Sequence, residues 1–169
     1  MYKLLLHTWK RLSLGKTFQI TILRFLNDQF LIGVTGVIFN DSEEVLLLKH
    51  SYRRVPWSLP GGYLKAGEHP KRGLEREIAE ETNFKVKVEK IIKTVHDKET
   101  ARIDICCVGI FKKGTFKKSE EVTEFGFFNL HKLPPLLDDQ YKQIESANKR
   151  WKDLHSKPLF KRIRNIFSF

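Results

Sequence analysis

Cysteine is scarce in this sequence: there are only two, Cys106 and Cys107, and they are adjacent. Neighbouring residues on a strand point to opposite faces, so the pair is poorly placed to bridge itself, which argues against a disulfide-stapled secreted scaffold. A reducing, cytoplasmic setting is expected, and neither the spacing nor the neighbours of the two thiols suggest a zinc site. Long apolar runs are also missing; nothing approaches the ~20 residues of a membrane-spanning helix. The opening segment, MYKLLLHTWKRL, has a basic residue and a short apolar stretch but no small-residue cleavage site. It therefore does not read as a secretory signal. No stretch is compositionally biased, as a low-complexity chain would be.

Acid is lacking in particular places. The net charge is +11, from 31 Lys and Arg against 20 Asp and Glu. Residues 1–20 carry four bases and no acid, and residues 149–169 carry seven bases against Asp153, so the middle of the chain holds only +1. Residues 1–12 read as a short amphipathic helix with Leu5, Trp9 and Leu12 on one face. Residues 158–169 interleave Lys161, Arg162 and Arg164 with leucine, isoleucine and phenylalanine. Such segments contact RNA phosphates or lie on an anionic membrane surface, and they equally pack as ordinary terminal helices. The expected organisation is a basic amphipathic N-terminal extension (1–17), one globular domain (18–152) and a basic C-terminal extension (153–169).

Between those ends the runs FQITILRFL (18–26), LIGVTGVIF (31–39) and EVLLLKH (44–50) read as strands. Asn40–Asp41–Ser42 turns the last two into a hairpin. A Pro- and Gly-rich loop, SYRRVPWSLPGG, follows. His69–Pro70 then opens a helix predicted to reach about Thr82, Pro being suited to the first helical turn. Residues 84–95, 101–113 and 123–130 read as further strands. Leu133–Pro134–Pro135 breaks the chain before a last helix over about 136–152. Strands, a helix, more strands and a final helix fit a mixed sheet with helices on its faces, an α/β fold, or α+β by a stricter label.

The helix that opens at His69–Pro70 carries the chemistry. Glu77, Glu80 and Glu81 stand at i, i+3 and i+4, which places three carboxylates on one face. Like charges so placed repel by a few tenths of a kcal/mol per pair, and something must offset that. Arg76, four residues before Glu80, can pair with it. A hard divalent cation would do more, since Mg²⁺ takes carboxylate and phosphate oxygens. A merely solvated acidic face would show the same spacing. The residues ahead of the helix separate these two readings. Leu59–Pro60–Gly61–Gly62 is a rigid turn whose glycines let a ligand approach the backbone. From Gly62 the order is five residues, Glu68, seven residues, Arg76–Glu77–Ile78, one residue, Glu80–Glu81, one residue, Asn83–Phe84.

This run, GYLKAGEHPKRGLEREIAEETNF, resembles the Nudix box, G-x5-E-x7-R-E-U-x-E-E-x-G-U with U a bulky aliphatic residue. Gly62, Glu68, Arg76, Glu77, Glu80 and Glu81 match in register. Asn83 replaces the final Gly, and Phe84 replaces an aliphatic residue; Asn is the next-best residue for a left-handed helix cap. The likeness spans roughly residues 30–135. It implies a Nudix-type α/β/α sandwich with a mixed β-sheet and a catalytic loop–helix. It also implies a Mg²⁺- or Mn²⁺-dependent hydrolase that cuts the diphosphate of a nucleoside diphosphate-linked compound or a nucleoside triphosphate.

By that resemblance Glu77, Glu80, Glu81 and the Gly61 carbonyl are the metal ligands. Arg76 orients Glu80, and Glu68 ties the loop to the helix. Glu121, in the acidic stretch with Glu120 and Glu124, is the candidate base, although a box glutamate could serve instead. Arg53, Arg54 and Gly62 are the candidates for contacting substrate phosphates, guanidinium forks being matched to phosphate oxygens. His50, His69 and His96 have no partner spacing and read as ordinary histidines, and Trp57 and Phe128 as packing residues.

Substrate signatures are thinner. Residues 97–103, DKETARI, lack the proline that follows the box in many ADP-ribose pyrophosphatases. The tyrosine of many dinucleoside polyphosphate hydrolases and a coenzyme A motif are also missing. If the basic ends bind RNA, the alternative is a pyrophosphohydrolase acting on RNA 5′ ends. A non-catalytic, nucleotide-binding regulatory module is the alternative from another class, and such proteins usually lose box glutamates that this chain keeps. Many family members dimerise, so a homodimer is carried as an expectation with no interface named.

Overall fold

The structure is a computed structural model that describes residues 15–97 and 100–155. The helix expected at 1–12 and most of the two basic extensions lie outside the described residues. The chain divides into two compact units, with the boundary between Phe30 and Leu31.

The described part of the first unit is helix α1, Lys16–Leu26. This corrects the strand expected over 18–26. The run is rich in β-branched and aromatic residues, but Phe18, Ile22 and Phe25 also recur at helical spacing, and a short apolar run does not separate the two periods. Two side chains bond back onto the helix. The Thr21 hydroxyl donates to the Thr17 carbonyl at 3.0 Å, and Asn27 closes the last turn by donating from Nδ2 to the Leu23 carbonyl at 2.7 Å.

The second unit runs β1 (Leu31–Phe39), β2 (Val45–His50), β3 (Trp57–Ser58), β4 (Gly61–Tyr63), α2 (Pro70–Thr82), β5 (Lys85–Asp97), β6 (Arg102–Lys113), β7 (Val122–Phe128) and α3 (Asp138–His155). The seven strands form one sheet in the order β3-β2-β1-β6-β5, with β4 paired to β1 and β7 to β2. β1 and β6 are parallel, whereas β1 and β2 are antiparallel, so the sheet is mixed as expected. β5 lies at one end of that order, with Lys85, Lys87 and Lys93 exposed along it. Among the described residues, no helix is long and apolar enough to cross a membrane.

The strict alternation of strand side chains sorts the core into two layers. Val37, Phe39, Val45, Leu47 and Val108 face α3, where Ile144, Ala147 and Trp151 meet them. Ile38, Leu46, Leu48 and Val88 face α2, where Leu74 and Ile78 meet them. The Phe39 and Trp151 rings lie 4.9 Å apart. Leu74 and Ile78 are fully buried, and such burial is worth roughly 1.5–3 kcal/mol per side chain. The two cysteines fall in opposite layers and are both free. Burial pushes the Cys106 thiol up to about 12 and the Cys107 thiol up to about 11, which leaves both unreactive.

Helix α2 is bounded where the sequence places its ends. The His69 ring accepts the Lys71 N–H at 3.3 Å, and Pro70 follows it as the first helical residue. Asn83 terminates the helix in the left-handed region, at φ 62 and ψ 18, and its N–H reaches the Ala79 carbonyl. Its amide group also donates to the Thr115 carbonyl at 3.2 Å, tying the helix end to the loop after β6. Asn83→Gly is therefore expected to stay within about 1 kcal/mol of wild type. Asn83→Val, which forces a β-branched residue to positive φ, should cost about 1–2 kcal/mol more. Denaturation midpoints measure both, and equal losses would show that the left-handed cap is not the constraint at this position.

Candidate active site

The site begins at the glycine turn. Gly61 and Gly62 pair with Thr35 and Val34 of β1, and this brings the β4 backbone against both β1 and α2. A Cβ at Gly61 would strike the Val34 carbonyl, and one at Gly62 would strike the Glu77 carboxylate. Only glycine permits both approaches, so the backbone forms a thin floor beneath the glutamate helix.

Arg76 organises that helix. Its guanidinium grips Glu68 through two bonds of 2.8 Å, from Nε to Oε1 and from Nη2 to Oε2. Nη1 donates to Glu77 at 2.8 Å and to Glu80 at 3.0 Å, and Nη2 also reaches the Tyr63 carbonyl at 3.1 Å. The loop and the helix are thus tied together through one side chain. The Arg76 bonds, with the Lys65 N–H beside them, bring the Glu68 carboxyl down to about 2. Those same carboxylates hold the Arg76 guanidinium firmly in its charged form.

Glu81 has the opposite environment. Its Oε2 is buried with no hydrogen-bond partner. Burial, then the charges of Glu77 and Glu121, raises its carboxyl to about 7. Among the described residues, no three carboxylate, histidine or cysteine side chains are drawn together tightly enough to ligate one ion. Glu77 and Glu80 instead turn toward Arg76, while Glu81 is left without a counter-charge bonded to it.

These residues open onto a cleft of about 530 Å³ lined by Tyr52, Arg53, Gly61–Tyr63, Glu77, Glu80, Glu81 and Ser119–Glu121. Glu121 stands opposite the helix glutamates on the loop before β7, and the Tyr52 hydroxyl donates to it at 3.5 Å. The same loops are joined by the Ser51 N–H, which donates to the Glu121 carbonyl at 3.2 Å. Arg53 lines the cleft and donates to the Ser58 hydroxyl at 3.0 Å. Its neighbour Arg54 is exposed and is not among the residues lining this cleft, and Glu124 pairs with Lys49 at 2.8 Å outside it. Trp57 and Phe128 pack edge to face, 5.0 Å apart.

A second cleft, of about 350 Å³, adjoins the first and shares Arg53, Gly61, Gly62 and Tyr63 with it. Its far side is formed by Asp104 of β6 and by Asp139, Gln140 and Gln143 of α3. The sequence pointed to none of these residues, nor to Tyr52, because a lone tyrosine or a glutamine in a helix carries no spacing signal. His50, read as ordinary, is buried with neither ring nitrogen bonded, and burial and then the Arg53 charge take its imidazole down to about 4.

Comparison with known proteins supplies the context. The NUDIX domain model matches residues 29–148. An ADP-ribose pyrophosphatase of Methanocaldococcus jannaschii is 30% identical over 128 residues, a match covering 72% of this chain and 75% of the relative. A putative 8-oxo-dGTP diphosphatase of Bacillus subtilis is 40% identical over a shorter segment, 31% of this chain and 34% of the relative. Among solved structures, a UDP-X diphosphatase superposes with a TM-score of 0.67 at 24% identity, covering 85% of this chain and 74% of that one, a likeness of fold. A MutT protein of Methanosarcina mazei superposes at 0.60 with 27% identity, covering 75% and 98%.

The Glu68–Arg76 pair makes a pH-dependent contribution to stability with a definite sign. A carboxyl depressed from 4.5 to about 2 stabilises the fold above its unfolded value and loses that contribution as pH falls through its folded value. Glu68→Gln should lower the thermal midpoint at pH 7. The gap to wild type should close between pH 4.5 and about 2. A gap that stays constant over that range would show that the charge of Glu68 is not what the fold uses.

Proposed function

This chain belongs to the NUDIX domain family of pyrophosphohydrolases, and from that membership we propose that it hydrolyses the diphosphate of a nucleoside diphosphate-linked compound at the cleft lined by the α2 glutamates. One observation carries this reading: a buried Glu81 oxygen without a partner, set among further carboxylates, in a cleft bordered by Arg53 and a side-chain-free glycine floor. Buried anionic oxygens are costly unless something neutralises them. A divalent cation and a phosphate chain together supply both halves of that neutralisation.

The family typically depends on a divalent metal, and the donor set here fits one. Glu77, Glu80, Glu81 and the Gly61 carbonyl are hard oxygen donors of the kind that Mg²⁺ or Mn²⁺ prefers. When bound, the ion would offset the diphosphate charge and make water a stronger nucleophile. The remaining roles fall to the chain itself. Gly61 and Gly62 leave room for phosphate against the backbone, and Arg53 offers a guanidinium to its oxygens. Arg76 holds Glu77 and Glu80 in place through its bonds to both. Glu121, steadied by the Tyr52 hydroxyl, accepts the proton of the attacking water.

The name of the Methanocaldococcus jannaschii relative makes ADP-ribose the first substrate to assay. Glu81→Gln should lower kcat by about 100-fold or more on whichever diphosphate the wild type cleaves, with the thermal midpoint retained. Activity near the wild-type level in that variant would overturn the assignment of Glu81. Failure to cleave any nucleoside diphosphate compound, with Mg²⁺ or Mn²⁺ present, would overturn the reading as a whole.

Cation binding also has a signed pH dependence. Glu81 ionises near 7 in the folded chain against 4.5 in the unfolded one, so the ion-free protein loses stability as pH rises across that interval. A cation that takes up this carboxylate competes with its proton. The rise in thermal midpoint on adding Mg²⁺ or Mn²⁺ should accordingly be larger near pH 8 than near pH 5.5. An equal rise at both would place the ion away from Glu81.

A further inference from the structure

Helix α1 carries an apolar face that is left open to solvent. Phe18, Ile22, Phe25 and Leu26 fall at i, i+4, i+7 and i+8, on one side of the helix, while Lys16, Thr17, Thr21 and Arg24 lie away from it. An amphipathic helix ordinarily buries such a face, yet α1 has no buried residue. Phe25 is 91% exposed, Leu26 63% and Phe18 54%. Eleven residues are too few to hold a helix firmly in water by themselves, so a surface that takes up this face also supports the helix.

Charge decides what that surface is. Residues 1–27 hold Lys3, Lys10, Arg11, Lys16 and Arg24 and no acid, Asp28 being the first. A second copy of the chain would bring these cations against their own kind, which repulsion disfavours. RNA would neutralise the cations, and its bases stack on aromatic rings, but it offers nothing to Ile22, Leu23 and Leu26. An anionic bilayer meets both needs, with headgroups for the cations and the acyl boundary for the apolar face. We propose that α1 is an in-plane anchor that lays Phe18, Ile22, Phe25 and Leu26 into the surface of an anionic lipid bilayer. The proposal is independent of the diphosphate-hydrolase reading of the α2 cleft.

The local bonding of α1 suits that setting. The Thr21 hydroxyl donates to the Thr17 carbonyl within the helix, so it needs no water at the interface. The Asn27 backbone N–H and Nδ2 both reach the Leu23 carbonyl, which satisfies one of the carbonyls left open at the helix end. Arg24 in the last turn complements the negative end of the helix. At about 1.5 Å per residue the helix falls well short of the roughly 30 Å hydrocarbon core, so it lies along the surface and does not cross it.

The test is co-sedimentation of the full chain with vesicles of phosphatidylcholine alone, or of phosphatidylcholine with an equal part of phosphatidylglycerol. Binding should be about tenfold or more stronger to the anionic vesicles and should weaken as salt is added. Phe18→Ser combined with Phe25→Ser leaves every charge in place. It should reduce binding by about tenfold or more with the thermal midpoint retained, because both rings are exposed. Insertion is read directly at position 25. Cys106 and Cys107 are buried, so Phe25→Cys takes an environment-sensitive fluorophore at that position alone. Its emission should shift to the blue with anionic vesicles and stay unchanged with polyuridylate RNA. No binding to either vesicle, equal binding to both, or undiminished binding by the double variant would overturn the proposal. A blue shift with RNA and not with vesicles would assign the face to nucleic acid instead. A dimer in vesicle-free solution that the double variant dissolves would assign it to a second copy, and either result sinks the lipid anchor.

Discussion

Three carboxylates crowd one side chain in this molecule. Glu68 arrives from a loop, and Glu77 and Glu80 stand on α2; without Arg76 among them, each would repel the others across a few ångströms. The planar guanidinium meets all three at once because its donors point in different directions in one plane. Lysine, with a single compact charge, could not bridge the loop and two helical turns in the same way. The glycine floor follows from this arrangement, since the loop can lie close to α2 only where the chain has no Cβ. The isolation of Glu81 follows too: the cationic group is already occupied, so the carboxylate on its far side is left without one.

The sheet isolates this crowded region from the demands of folding. Apolar strand residues alternate between two helices, and each helix contributes its own buried stripe. Stability therefore comes largely from side chains that never reach the clefts. The polar residues gather where elements end, at the start of β4, along the outer face of α2, in the loop before β7 and at the opening of α3. Function is thus placed at the rims of the layers, and the unsatisfied oxygen of Glu81 sits at one of them.

Much of this was legible in the sequence, for physical reasons. Regular spacing announced α2, because three glutamates and an arginine at helical intervals make sense only on a helix, and Pro70 and Asn83 mark its ends. The separation of Cys106 from Cys107 followed from the two-residue period of a strand. Residues 18–26 were misread because their β-branched composition masked a helical repeat, and a short apolar run does not separate the two periods. Gln143, Tyr52 and Asp104 were invisible for another reason. They come from distant parts of the chain, and what matters about each is which surface it meets.

The outer strand of the sheet has a consequence for assembly. β5 exposes lysines along its length, and its pairing with β6 slips at three places, near Lys85, Val88 and Ile91. An exposed strand edge ordinarily invites another chain to add to it, and ammonium groups and irregular pairing are two ways of discouraging that. A second copy docking there would set one row of lysines against another. Growth of the sheet from molecule to molecule is disfavoured at that border by the charge and irregularity of the strand itself.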